Sequence, residues 1–350
     1  MKITKSLIVA SLLGASAMAG QPMQKEAGWS GYVVLGAGYV ELENSEVAGN
    51  RLIDLENKQI NDYSSPEKES VAFPLVTGIV QYTLDGKKTE FFAGNSLEDY
   101  LRMDATLALG VRHEFDGLGI MGIRLLASTM PTDVWEDPLD TTQRRTSTER
   151  KSAGLGLKWE NIMESKFDLD LRARNIEFDN DKNGQSLVNA GLAGTFVPGQ
   201  TEAKYITNAQ QKDLEREGSM TSAELKYTWK VNDSNILMPA IKLTNNDRDG
   251  DARDFTQAEI ILTHGYNSEN WKIATTVSAG SSSYDDDNPV FDKKQDTDFY
   301  SAGMNVIYKK PFGWEDWGIN AGAYVANGDS DIDFYDTNLF IVTLGMGYQF

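Results

Sequence analysis

Three features are scarce in this chain of 350 residues, and each absence removes a class of protein. There is no cysteine, which excludes a disulfide framework and thiolate metal sites. The only histidines are His113 and His264, so few groups are available for histidine-based catalysis. Beyond the N-terminus, no stretch approaches the ~20 apolar residues that a membrane-spanning helix needs. By hydropathy alone, the rest of the chain would pass as soluble.

The N-terminus has the order of a secretory signal peptide. A basic segment, Met1–Lys5, precedes an apolar stretch from Ser6 to Ala19 that ends in a small-x-small cleavage pattern. At roughly 14 residues the apolar core is too short to span a bilayer as a helix. We therefore expect a cleaved signal peptide over 1–19 and one mature domain over 20–350; the alternative is an N-terminal anchor or buried helix. Losing Lys2 and Lys5 takes the net charge from −19 to −21.

Alternating residues dominate the chain past Gly28. In 102–115, odd positions such as Leu107, Leu109 and Val111 are apolar, and several even positions are charged. This period of two predicts a strand with one apolar face, and its length reaches the ~9–11 residues of a membrane-spanning strand. The same analysis predicts fourteen strands: 29–40, 73–84, 88–95, 102–115, 118–130, 149–161, 165–178, 219–231, 235–246, 253–266, 270–282, 297–309, 317–327 and 337–349. The pair 73–84 and 88–95 has the weakest pattern, and without it twelve strands would remain.

The predicted connections alternate between short and long. Asp116-Gly117 and Asn267-Ser268 are short, whereas 41–72, 131–148 and 179–218 are long. Bacterial outer-membrane barrels have tight periplasmic turns and longer outer loops. We therefore predict an all-β fold, a transmembrane antiparallel up-and-down β-barrel in the cell outer membrane, with both termini in the periplasm.

The last predicted strand, 337–349, is followed directly by an aromatic residue, Phe350. Its alternate positions are apolar, and this resembles the C-terminal signature that barrel-assembly machinery reads, so that machinery is an expected partner. The alternative is the last strand of a soluble sandwich. The residues of this signature are Phe340, Val342, Leu344, Met346, Tyr348 and Phe350.

Strand parity also assigns charged side chains to the lumen, with thirteen basic against seven acidic residues. Two interpretations stay open. A net-positive lumen favours anionic or polar solutes; a lumen closed by Arg–carboxylate pairs, by loops or by 21–28 passes nothing. The basic candidates are Arg102, Arg112, Arg124, Arg150, Lys158, Lys166, Arg172, Arg174, Lys226, Lys230, Lys242, Lys272 and Lys309, and the acidic ones are Asp104, Glu114, Glu160, Asp168, Asp170, Glu224 and Glu259.

Acid is expected mostly in the loops. Asp247, Asp249 and Asp251 alternate around a glycine, as in some Ca²⁺-binding loops, but the late acidic ligand of an EF-hand is missing. These three are weak calcium candidates, and a solvated outer loop or divalent bridging to lipopolysaccharide explains them equally well.

Enzyme chemistry finds little support in the sequence. By parity both histidines face lipid, and no serine is placed for a Ser–His arrangement. We expect no enzymatic activity and no cofactor, and the acidic chain argues against nucleic-acid binding.

Five segments carry a family resemblance that covers nearly all of the mature chain. They are 91–94 (FFAG), 135–138 (WEDP), 288–291 (NPVF), 312–317 (FGWEDW) and 330–336 (SDIDFYD). With them the chain resembles DUF2860, a family of Gram-negative outer-membrane proteins defined as a domain of unknown function. The resemblance implies an outer-membrane barrel and no particular activity.

Two functions follow as hypotheses. The first is a narrow porin-like channel for small polar or anionic solutes. The second is a non-conducting surface barrel that binds lipopolysaccharide, a surface or a partner through its acidic loops.

Overall fold

The computed structural model describes residues 23–24, 26–55, 59–95, 105–193 and 205–350. The predicted signal peptide, 1–19, lies outside them. Fourteen long strands form one antiparallel sheet: β1 Gly28–Glu43, β2 Lys68–Thr83, β3 Thr89–Asn95, β4 Ala105–Phe115, β5 Gly119–Met130, β6 Ser147–Glu160, β7 Phe167–Phe178, β8 Gly218–Tyr227 (continued by Trp229–Lys230), β9 Asn235–Arg248, β10 Phe255–Asn267, β11 Trp271–Tyr284, β12 Thr297–Lys309, β13 Trp317–Ser330 and β14 Thr337–Gln349.

The sheet closes on itself because β1 pairs with both β2 and β14. Beyond the last ladder residue, the amide of Phe350 donates to the carbonyl of Gly31, and the amide of Gly31 donates back, each at 3.1 Å. All fourteen predicted strands are confirmed, including the pair with the weakest alternation, so the twelve-strand alternative is wrong. In the described part of the chain, each of the fourteen strands pairs with a neighbour on both sides, as strands that cross a bilayer require.

The two faces of the barrel have opposite chemistry. Outward residues such as Leu157, Ile260 and Leu344 are more than half exposed, whereas the inward Arg112 and Arg124 are buried. An apolar band that surrounds a whole barrel is stable in contact with hydrocarbon and unfavourable in contact with water. The protein is therefore a transmembrane β-barrel.

Aromatic pairs on neighbouring strands ring the short-turn end of the barrel. Trp29 lies 5.0 Å from Tyr82 between ring centroids, and Trp271 lies 4.8 Å from Tyr308. Such rings are typical of a membrane–water interface. The turns at this end are short, and in one of them Gly117 takes the positive φ that the Asp-Gly turn requires. By the usual asymmetry this is the periplasmic end.

The loops at the other end contain further structure. Short strands Val47–Asn50, Ile53–Asp54 and Thr132–Trp135 pair with one another or with β6, and two helices follow β7: α1 Gln185–Ala193 and α2 Asn208–Lys212. The second helix begins at Asn208 with a Thr207–Gln210 capping box and ends at Lys212. In the described part of the chain, no helix is both long and apolar enough to cross a membrane.

Candidate functional site

The outer loops fold together into one unit, which we call the outer cap: residues 44–67, 131–146, 179–217, 249–254, 285–296 and 331–336, as far as they are described. Tyr63 joins two of these loops, since its hydroxyl donates to the carbonyl of Leu139 at 2.9 Å and its ring meets that of Phe334 edge-on. Because every loop contributes to a common core, the cap spans the outer mouth. Its buried residues are Leu139, Leu187, Val188, Ala190, Ile206, Leu214, Ala252, Val290, Ile332, Phe334 and Tyr335.

Arg253 connects opposite sides of the mouth. Its Nη2 donates to both carboxylate oxygens of Glu46, at 2.8 and 2.9 Å, and its Nη1 donates to Gln295 at 3.0 Å. Its guanidinium carbon lies 5.2 Å from the ring centroid of Tyr335. Glu46 follows β1 and Arg253 precedes β10, so six strands separate them one way round the barrel and eight the other. The pair therefore ties the cap across its diameter.

Electrostatic interactions within this pair keep both Glu46 and Arg253 in their charged forms. Burial by itself would raise the pKa of Glu46, but Arg253 and Arg216, together with the hydrogen bond from Arg253, outweigh it and lower that pKa. Burial likewise opposes the charge on Arg253, and Glu46 outweighs it, so the pKa of Arg253 is raised. The pair is ionised near neutral pH.

Asp137 holds the start of α1. Its Oδ1 accepts hydrogen bonds from the amides of Leu139 and Gly184, and its Oδ2 accepts one from Ser186 at 2.8 Å. A carboxylate there satisfies amides that a helix leaves unpaired. Burial nevertheless raises the pKa of Asp137, and these hydrogen bonds only partly offset it.

Residues 47–55 fold inward beneath the cap. Ile53 and Leu55 pack against Val40, Phe73 and other inward residues of β1, β2 and β14. By strand parity these positions face the lumen, where polar residues are expected. They are apolar because residues 47–55 cover them, and this segment narrows the outer half of the lumen.

Ion pairs cross-link the inward charges of β3 to β8. Arg112 lies 2.7 Å from Glu90 and 3.4 Å from Glu160, between guanidinium nitrogens and carboxylate oxygens. Arg124 contacts Asp170 at 2.6 Å. Further contacts join Arg172 to Asp170, Lys226 to Asp168 and Lys158 to Glu160.

Besides Glu69 and Arg248, which lie beyond the predicted ends of their strands, the sequence analysis missed the lumenal residue Glu90. It is fully buried, and it accepts hydrogen bonds from Gln81 and Arg112. Strand β3 had been predicted correctly, so applying the same parity to it would have found this carboxylate.

The arginines lie flat against the wall because glycines face them. A Cβ added to Gly156 would lie 2.6 Å from Nε of Arg124, so that side chain occupies the space above the glycine. On the opposite wall, β11 and β13 carry small inward residues that are only partly buried, among them Ala274, Ser278 and Gly322, beside the larger Lys272, Asn320 and Tyr324. One wall of the lumen is thus lined by charged, cross-linked side chains. The opposite wall carries small side chains that solvent can reach.

The other predicted lumenal residues are placed as follows. Arg102 and Asp104 lie outside the described residues. Glu114 and Lys230 are exposed at the turn end, where Lys230 pairs with Asp233, and Lys166 is exposed in a turn. The remainder face inward: Arg150 near Thr132, Arg174 near Thr106, Glu224 and Glu259 opposite Lys242 in the ladder, and Lys272 and Lys309 near the turn end.

The remaining candidates are found on the outside of the barrel or in its loops. Phe340, Val342, Leu344, Met346 and Tyr348 share the outward face of β14, and Phe350 follows them. His113 contacts Thr89 at 2.7 Å and His264 contacts Asn235 at 2.9 Å, between ring nitrogen and oxygen. Asp247 points outward from β9, apart from the turn that carries Asp249 and Asp251. Over the described ranges, no group of three or more histidine, aspartate or glutamate side chains is arranged to hold a metal ion.

These features define an outer-membrane β-barrel whose outer mouth is covered by a folded cap. The chain belongs to the family described as a protein of unknown function, DUF2860, whose model matches residues 28–195 and 199–349. Three of the five segments that carried the resemblance, 135–138, 288–291 and 330–336, lie in the outer cap.

Among curated proteins, none matches the chain significantly. Solved structures with a similar outline include a Pseudomonas aeruginosa FadL homologue, 9% identical, covering 92% of this chain and 90% of that one with a TM-score of 0.42. The outer membrane channel DcaP of Acinetobacter baumannii is 10% identical, with 95% and 100% covered and a TM-score of 0.39. The CymD monoaromatic hydrocarbon channel is 11% identical, with 96% and 93% covered and a TM-score of 0.41. Likenesses this distant carry no information on what this chain binds or passes.

Proposed function

We propose that this protein is a gated outer-membrane channel for small polar or anionic solutes, with the outer cap as its gate. The observation that carries the proposal is the division of the lumen into two walls. Ion pairs and glycines keep the arginine side chains against β4 to β8, and the half-buried small residues of β11 and β13 line the remaining space. A barrel of fourteen strands is wider than the filled eight-stranded kind, so enclosed volume is expected.

Anion preference follows from the inward charges. Among the described residues, the inward bases are Arg112, Arg124, Arg150, Lys158, Arg172, Arg174, Lys226, Lys242, Arg248, Lys272 and Lys309, and the inward acids are Glu69, Glu90, Glu160, Asp168, Asp170, Glu224 and Glu259. The excess of positive charge falls from six in the sequence count to four. Glu69, Glu90 and Arg248 join the lumen, Lys166, Lys230 and Glu114 leave it, and Arg102 and Asp104 lie outside the described residues. A wall of this sign attracts small anions and raises their local concentration.

The test is conductance of the refolded protein in a planar bilayer under a KCl gradient. We expect discrete openings whose reversal potential shows a preference for chloride. Replacing Lys242 by Gln on the inner wall should reduce that preference, whereas replacing the exposed Lys87 in a turn should leave it unchanged. Openings with no ion preference in the wild type would contradict the anionic part of the proposal.

A second candidate is a non-conducting surface barrel that binds a partner through its loops. The cap supports it, because a common core fixes the shape of the outer surface, and most of the family-carrying segments lie there. A folded barrel that stays silent even when the cap has been destabilised would favour this candidate over the channel.

A further inference from the structure

A row of polar side chains crosses the outside of the barrel near its outer end. The row runs over five strands, β12 to β14 and then β1 and β2, through Tyr300, Asn327, Asn338, Glu43 and Lys68, which are successive partners in the ladder. It therefore crosses the seam where the last strand meets the first. On β12 to β14 the next outward residues toward the turn end are apolar, so the row lies at the edge of the apolar belt, where a polar group of a neighbouring molecule fits.

Four of the five side chains of this row are joined to one another. Asn327 donates to Asn338 at 2.7 Å, and Asn338 donates to Glu43 at 2.6 Å. Lys68 lies 3.9 Å from Glu43 and donates to Glu41 at 3.3 Å. The network holds these side chains together, and Asn327, Glu43 and Lys68 keep part of their surface exposed.

A groove of about 620 Å³ lies along this row and extends toward the apolar belt. Its apolar part includes Ala302, Val325 and Phe340, which form the next row of the ladder on the same face. Ala302 makes the depression, because Tyr300 on the same strand and Phe340 two strands away are large. This volume falls within the range typical of small-molecule sites.

We propose that this groove binds one membrane glycolipid, with an acyl chain over Ala302 and a sugar headgroup on the polar row. Sugar hydroxyls both donate and accept, which matches a row of amides, carboxylates and one ammonium group. The row and Glu41 together hold two carboxylates against one lysine, so a headgroup with only phosphate charge is disfavoured there. The site is separate from the lumen and from the gate.

The experiment is native mass spectrometry of the refolded barrel with added lipids. The probes are a diacylated glucosamine disaccharide and, with matched acyl chains, phosphatidylglycerol. We expect one tightly retained glycolipid per barrel and at least tenfold weaker retention of phosphatidylglycerol. Ala302→Phe fills the groove and Asn338→Leu breaks the polar row, so each should weaken glycolipid retention about tenfold.

Ala153→Phe is the matched control, because Ala153 faces outward at a similar distance from the outer end of β6 on another part of the wall. It should retain the glycolipid like the wild type. If Ala302→Phe does not fold, as judged by heat-modifiable mobility on gels, Asn338→Leu decides the matter. Equal retention by wild type and Asn338→Leu overturns the proposal, and so does equal retention of phosphatidylglycerol and glycolipid by the wild type.

Discussion

Replacing Arg253 by methionine should open the outer cap without disturbing the barrel. Methionine keeps most of the side-chain length, but it cannot pair with Glu46 or donate to Gln295. Both partners belong to loops that start on other strands. The variant therefore removes the connection across the mouth and leaves the ladder hydrogen bonds intact.

The magnitude follows from burial. Breaking a buried ion pair by removing one partner costs about 3–5 kcal/mol. Glu46 keeps 23% of its side chain exposed and Arg253 keeps 10%, so water partly compensates the stranded carboxylate. We therefore take the lower end, about 3 kcal/mol, which raises the ratio of open to closed caps roughly a hundredfold at 1.4 kcal/mol per factor of ten.

Acid should have a similar effect on the wild type. The pKa of Glu46 is lower in the closed cap than its ordinary value, so the ion pair stabilises the cap fully above that ordinary value, about pH 4.5. The stabilisation is lost as the pH falls through the lowered pKa. Opening should therefore increase in acid for the wild type, and the variant should lack this pH dependence.

Two assays report on the change. Open probability in a planar bilayer should rise in Arg253→Met, and hydrogen exchange at the amides of Ala252 and Asn288 should become faster by a similar factor. Lys293→Met is the control, since its pair with Asp331 in the same cap is more than half exposed. Unchanged exchange at both cap amides in Arg253→Met would refute the role of this pair in holding the cap.

Three further predictions concern other parts of the molecule. Asp137→Ala leaves three amides unpaired and should destabilise the start of α1 by about 1–2 kcal/mol, measured by hydrogen exchange there. Burial raises the pKa of Asp137, so this local stability of α1 should decline in the wild type as the pH rises from 3.8 through the raised value, and the variant should lack that decline. Gly156→Ala should displace the Arg124 side chain into the lumen and reduce single-channel conductance, whereas Gly86→Ala, where an added Cβ meets nothing, should not. Phe350→Ala should lower the yield of heat-modifiable barrel in the outer membrane, and a normal yield would remove this residue from the assembly signal.

The strands and their facing could be predicted because both depend on local order. Within a strand, a period of two can be recognised over about ten residues, and it fixes which side chains share a face. Even the 73–84 strand, whose alternation is weak, was among the fourteen predicted strands. The alternation is weak because Phe73 faces the lumen and packs against residues 47–55, whereas residues that face the lumen are expected to be polar.

The cap could not be predicted, because it depends on contacts between residues far apart in the chain. Tyr63 and Leu139 are 76 positions apart, and Glu46 and Arg253 are 207 positions apart. No local pattern marks such partners. The loops are acidic and polar in composition, which favours solvated excursions, while the few apolar residues among them form a common core.

The core of the outer cap joins loops that lie on both sides of the seam between β14 and β1, and this bears on how the protein folds. Ile332, Phe334 and Tyr335 enter the cap core from the connection between β13 and β14, the last hairpin of the chain. Glu46 and Tyr63 come from the first connection, so the two ends of the sequence supply neighbouring parts of the same core. The core cannot be complete until β14 has paired with β1. We therefore expect the core of the outer cap to be completed only when the seam between β14 and β1 closes.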